Sequence, residues 1–137
     1  MTQSLFVNLP IRNLKKTVDF FTALGFTFNP EFTNDVATCM NIREGVAVML
    51  LEDKFFESFI DKTIPDTAKH SEVLLALMFE TKEEVDLMGN KALANGARRY
   101  RELEDNDYMY TWGFEDLNGH IWELGWMDMD AFKAQKL

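Results

Sequence analysis

The chain has 137 residues, 47% of them hydrophobic and 13% aromatic, enough to bury a core in one domain spanning 1–137 and too apolar for disorder. Against 23 acidic residues stand 14 basic ones, a formal net charge of −9, which argues against a nucleic-acid partner held through phosphates. No apolar run approaches the roughly 20 residues that span a bilayer, 1–10 lack the pattern of a signal peptide, and the single cysteine, Cys39, cannot form an internal disulfide; a cytoplasmic protein with no membrane partner is expected.

In chain order, 5–11 alternates as a strand, with Leu5, Val7 and Leu9 on one face and Phe6 and Asn8 on the other. Pro10 cannot donate to a ladder, which places it at a strand end or an edge. Asn13 caps a helix over 14–24 whose Leu14, Val18, Phe21 and Leu24 face the sheet, and Gly25 ends it. A second strand begins at 26–28, and 36–42 and 46–51 are two more, joined through Arg43-Glu44-Gly45. The first module therefore occupies 4–51. Residues 52–72 are a linker containing a short helix, 53–61, in which Phe55, Phe56, Phe59 and Ile60 form one apolar stripe. That stripe either packs on the sheet or closes over a pocket as a lid.

The same order recurs over 73–126. A strand at 73–79 leads to a capping box, Thr81 and Glu84, and to a helix carrying Val85, Met88, Ala92 and Leu93 inward until Asn95-Gly96. Strands follow within 97–103, at 108–114 and at 120–126, and 127–137 is a polar tail with a turn or two of helix. The punctuation aligns between halves: Gly25 with Gly96, and Gly45 with Gly119. A ferredoxin-like α+β sandwich is the rival arrangement of alternating strands and helices.

The most informative stretch is 114–126. Asn118-Gly119 signals a hairpin with a type I′ turn, which needs φ > 0 at both residues. After it, His120, Trp122 and Leu124 share one strand face and Ile121, Glu123 and Gly125 the other. A carboxylate in so apolar a strand needs a partner, a metal or a wet strand edge. Asp116-Leu117-Asn118-Gly119-His120-Ile121-Trp122-Glu123-Leu124 resembles the closing hairpin of the glyoxalase/bleomycin-resistance/dioxygenase group, the vicinal oxygen chelate superfamily. The resemblance runs from Phe6 to about Trp126. It implies an α+β fold of two tandem βαβββ modules forming a curved mixed sheet around a pocket, and a homodimer.

Members of that superfamily with metal chemistry hold the ion from four positions, in the first and closing strands of each module. Carried over, these are Phe6, Met49, Leu74 (or its neighbour Leu75) and Glu123. Three are apolar, so no cofactor and no divalent metal site are expected. His120 and Glu123, three apart in a strand, point to opposite faces, His70 is solvated in the linker, and Cys39 is a small buried hydrophobe with no histidine nearby. What remains is an apolar pocket: Phe6, Asn8, Met49, Leu74, Tyr110, Trp112 and Glu123 as ligand-binding residues, with Trp112 and Tyr110 for stacking and Glu123 as the one charge. The functional reading is a small-molecule-binding protein resembling the metal-free, bleomycin-resistance-like branch. The alternative is a lyase, isomerase or dioxygenase of the same superfamily with Glu123 as base or within an atypical metal site, and a third is a pocket filled by its own side chains.

Overall fold

A computed structural model describes residues 3–135; the extreme ends of the expected domain and tail, 1–2 and 136–137, lie outside the described residues. The chain divides into two compact units, one ending at Asp66 and the other starting at Thr67.

The first unit runs β1 (Leu5–Ile11), α1 (Leu14–Ala23), β2 (Thr27–Phe28), β3 (Ala37–Arg43), β4 (Val46–Glu52) and α2 (Asp53–Glu57). Its sheet has the order β1-β4-β3-β2, with β1 parallel to β4 and the remaining pairs antiparallel. A parallel pair needs a long crossover, and the segment from α1 to β3 supplies it. Asn13 starts α1 by accepting the Lys16 amide at 2.9 Å, and Gly25 ends it at φ +103°. Leu9, Ile11, Met40, Val48 and Leu50 are buried together with Thr17, Phe20, Phe21 and Leu24 of the α1 segment. The other sheet face carries Phe6, Asn8, Ala47 and Met49, which share a face by register. The first unit differs from the sequence reading in one boundary and one added turn. The helix placed at 53–61 stops at Glu57. A 3-10 turn, Pro30–Phe32, fills a stretch that carried no assignment; Asn29 caps it and Pro30 takes its first position.

The second unit repeats the plan with β5 (Leu74–Met78), α3 (Lys82–Ala94), β6 (Arg98–Asp105), β7 (Met109–Glu115), β8 (Ile121–Met127) and α4 (Met129–Ala134). Its order is β5-β8-β7-β6, with β5 parallel to β8. The Thr81 hydroxyl accepts the Glu84 amide at 3.1 Å, completing the capping box. Gly96 and Gly119 have φ of +105° and +89°, beside +103° and +82° for Gly25 and Gly45. The repeat therefore holds in backbone conformation although few side chains match. The tandem βαβββ architecture is present, each module with its own four-stranded mixed sheet, and the ferredoxin-like rival is not formed. Among the described residues, no helix is long and apolar enough to cross a membrane.

The hairpin turn differs from expectation. Asn118 keeps a negative φ, so a type I′ turn, which requires both central residues to be positive, does not form. The cause is Asp116, whose Oδ1 accepts the amides of Asn118 (2.8 Å) and His120 (3.0 Å) and bends the turn around its own side chain.

Candidate functional site

The charge buried in the hairpin is Asp116, to which sequence reasoning gave no role. Its Oδ2 accepts the Trp122 indole N–H at 2.9 Å, so the carboxylate holds three donors. Burial pushes the Asp116 carboxyl up, against the opposing pull of His120 and of these hydrogen bonds. An Asp two residues before Asn-Gly is the signal that identifies it, since such residues bond the backbone two positions on.

Glu123 has a different environment. β8 lies between β5 and β7, so Glu123 is not at a sheet edge. It pairs with Arg101 of β6. Arg101, Gly113 and Glu123 form one rung across β6, β7 and β8, and the guanidinium meets the carboxylate over the middle strand. The partner demanded by this carboxylate is thus an arginine. Both side chains are partly exposed, so the pair contributes little. Glu123→Gln is expected to cost less than about 1 kcal/mol in urea unfolding; a loss of several would show that the pair supports the sheet.

Tyr110 and Trp112 do not share a face with Glu123. Residues 110, 112 and 114 of β7 stand opposite Trp126, Leu124 and Trp122 of β8, whereas Gly113 stands opposite Glu123. Trp112 is 2% exposed and donates its indole N–H to Asp86 of α3 at 2.9 Å, and the Tyr110 hydroxyl donates to the same carboxylate at 2.8 Å. Their placement in a pocket with Glu123 is therefore corrected: both pack against α3 through Asp86, a second residue that sequence reasoning missed. Burial and Asp86 push the Tyr110 phenol up to about 12. The folded chain keeps this proton above the pH, about 10, at which an unfolded tyrosine loses it, so the associated stability is lost as pH rises from about 10 through about 12. Ultraviolet titration should show a tyrosinate component near 12 that is absent from Tyr110→Phe. Its absence from the wild type would mean that the Asp86 contact does not form in solution.

Leu74 does share the open face with Glu123. It is 53% exposed, and Met78, four residues along on the same face, is 57% exposed.

In the first unit the open face carries a groove of about 290 Å³. Asn8 and Met49, neighbours on β1 and β4, form its floor with Ala37 and Leu51, while Phe32, Phe55 and Phe59 line it from outside the sheet. The walls are positioned by local chemistry. Arg12 pairs with Asp53 at 2.9 Å and ties the start of α2 to the end of β1. Phe55 and Phe59 meet edge-to-face with centroids 5.0 Å apart. The Phe32 turn is held by the Thr33 hydroxyl, which bonds the Asn29 carbonyl and the Thr38 hydroxyl, each at 2.8 Å. Phe6 lies in an adjoining cavity of about 210 Å³ that shares Phe32 and reaches Cys39. Cys39 is buried, and burial pushes its thiol up, away from reactivity.

The four positions implied for metal ligands fall at equivalent places. Phe6 pairs with Ala47, two before Met49, and Leu74 pairs with Ile121, two before Glu123. By register, Leu74 rather than Leu75 is the counterpart of Phe6. Two benzyl and aliphatic side chains, a thioether and an arginine-paired carboxylate do not fit a divalent ion that wants imidazole and carboxylate donors. Among the described residues, no three His, Cys, Asp or Glu side chains are grouped to hold a metal.

These features define a tandem βαβββ protein whose sheets each leave one face open. No family model and no curated protein matches the sequence. Among solved structures, it is similar to hypothetical protein SA1046 from S. aureus, with 30% identity over 90% of this chain and 93% of that one and a TM-score of 0.76. A glyoxalase/bleomycin resistance protein/dioxygenase family enzyme from Burkholderia phytofirmans PsJN has TM-score 0.73 at 17% identity, over 90% and 97% of the two chains. The fosfomycin resistance protein FosX from Listeria monocytogenes, solved with Mn(II) and a dihydroxypropylphosphonic acid, has TM-score 0.65 at 18% identity over 90% of each. The chain therefore shares the fold of these glyoxalase/bleomycin resistance/dioxygenase structures.

Proposed function

We propose that this protein binds a small, partly aromatic molecule without metal, in the groove on the open face of the first sheet. The observation that carries the reading is the convergence of Phe32, Phe55 and Phe59 over Asn8 and Met49: apolar walls with a few polar groups for orientation are the usual make-up of a small-molecule site. The Asn8 amide offers both a donor and an acceptor. The competing reading, a lyase, isomerase or dioxygenase using Glu123, is weakened by Arg101, which engages the carboxylate. Cytoplasmic location and a homodimer remain part of the proposal.

The test has two arms. Protein purified without added metal or a metal-affinity tag, then incubated with zinc, nickel, iron and manganese, is expected to retain none of them on elemental analysis. Near-stoichiometric retention of one ion would return the chain to the metal enzymes. In a thermal-shift screen of aromatic small molecules, a ligand at about 100 times its Kd stabilises the chain by about 2.7 kcal/mol. That gain should shrink in Phe59→Ala, whose parent side chain is 66% exposed and therefore removable at little cost to folding.

A further inference from the structure

The groove has a charge pattern that narrows its ligand, given the binding reading above. Among its lining residues Glu31 alone is charged, and no lysine, arginine or histidine is present. No ion pair of the described residues involves Glu31. Its backbone is fixed, because its amide donates to the Asn29 side chain at 2.9 Å within the 3-10 turn. One carboxylate thus lines the same groove as three phenylalanine rings, and among the described residues no ion pair neutralises it.

The rings point the same way. An aromatic face carries negative potential and attracts a cation within about 6 Å of its centroid. Phe55 and Phe59 stand at 76° to one another, and Phe32 is backed by Phe6 at 81°. Two near-perpendicular rings make a corner, which suits a rounded head group; a flat ring would be sandwiched by a parallel slot. The net charge of −9 adds a long-range attraction of the same sign. We propose that the groove takes a small organic cation, an alkylated ammonium on a short aromatic or aliphatic arm, with its head in the Phe55–Phe59 corner facing Glu31 and its arm over Met49.

The experiment compares three probes on the full chain: benzyltrimethylammonium, its neutral carbon isostere neopentylbenzene, and the anion phenylacetate. Binding is read by calorimetry and by the NMR shift of the Met49 methyl group. Benzyltrimethylammonium is expected to bind about threefold to thirtyfold tighter than the isostere, with phenylacetate weakest. Glu31→Gln and Phe55→Leu should each shrink that preference, and added salt should remove only the Glu31 part. Equal binding of the cation and the isostere at the Met49 methyl would overturn the cation proposal while leaving the aromatic-binding site intact. A preference for phenylacetate would overturn it as well. If no probe, and no member of the wider aromatic screen, moves the Met49 methyl or the melting temperature, the binding site itself falls.

Discussion

Asp116→Ala is expected to destabilise the protein by about 3–5 kcal/mol in urea unfolding at neutral pH. The substitution removes one side chain but strands three donors: the Asn118 and His120 amides and the Trp122 indole N–H. Trp122 is 1% exposed, so water cannot replace the lost acceptor without opening the core. Each buried donor left unmet costs about 1–3 kcal/mol. Asp116→Asn separates the contributions, because its carbonyl oxygen still serves the two amides while its NH2 faces the indole N–H, and an intermediate loss is expected. The pH dependence gives a second readout. Burial raises the folded carboxyl above its unfolded value, so the native chain binds the proton more tightly. Stability from this group is full in acid and falls as pH rises above the ordinary carboxylate range. Asp116→Asn should flatten that slope. A loss below about 1 kcal/mol in Asp116→Ala would mean that the turn refolds around other acceptors.

Gly89→Ala is expected to lose about 1–3 kcal/mol net, although alanine is the better helix former. Two effects oppose each other in α3. Replacing a helical glycine by alanine gains about 1 kcal/mol in propensity. A Cβ at Gly89, however, would lie 2.2 Å from Cη2 and 2.3 Å from Cζ2 of Trp112. The ring cannot swing aside freely, because its indole N–H is anchored on Asp86, three residues before Gly89 on the same helix. Overlap therefore wins, and the helix must lift from β7. The double variant with Trp112→Phe tests this: the smaller ring makes room, and the penalty for alanine at 89 should largely vanish in that background. An undiminished penalty would place the cost in the backbone of α3.

How much of this was legible beforehand follows from the range of each interaction. The glycine punctuation, Gly25 with Gly96 and Gly45 with Gly119, is local, and each glycine has the positive φ that its turn requires, although Asn118 beside Gly119 does not. The caps at Asn13 and Thr81 are equally local, and both formed. Strand alternation also contained the answer for Tyr110 and Trp112: register puts them opposite Trp126 and Leu124, and only an assumption that aromatics belong in the pocket set them beside Glu123. Asp116 stood within the quoted motif, but its role depends on an indole six residues later folding back.

The sequence by itself determined the element order and the tandem repeat, because turns, caps and alternation act over a few residues. Tertiary structure alone decided that Glu123 meets Arg101 across a glycine rung, that Asp86 gathers Tyr110 and Trp112, and that Phe32 and Phe55 close a groove over Asn8 and Met49. These pairings join residues from different strands, helices and turns, and no periodicity within a strand or helix specifies which side chain from another element will arrive.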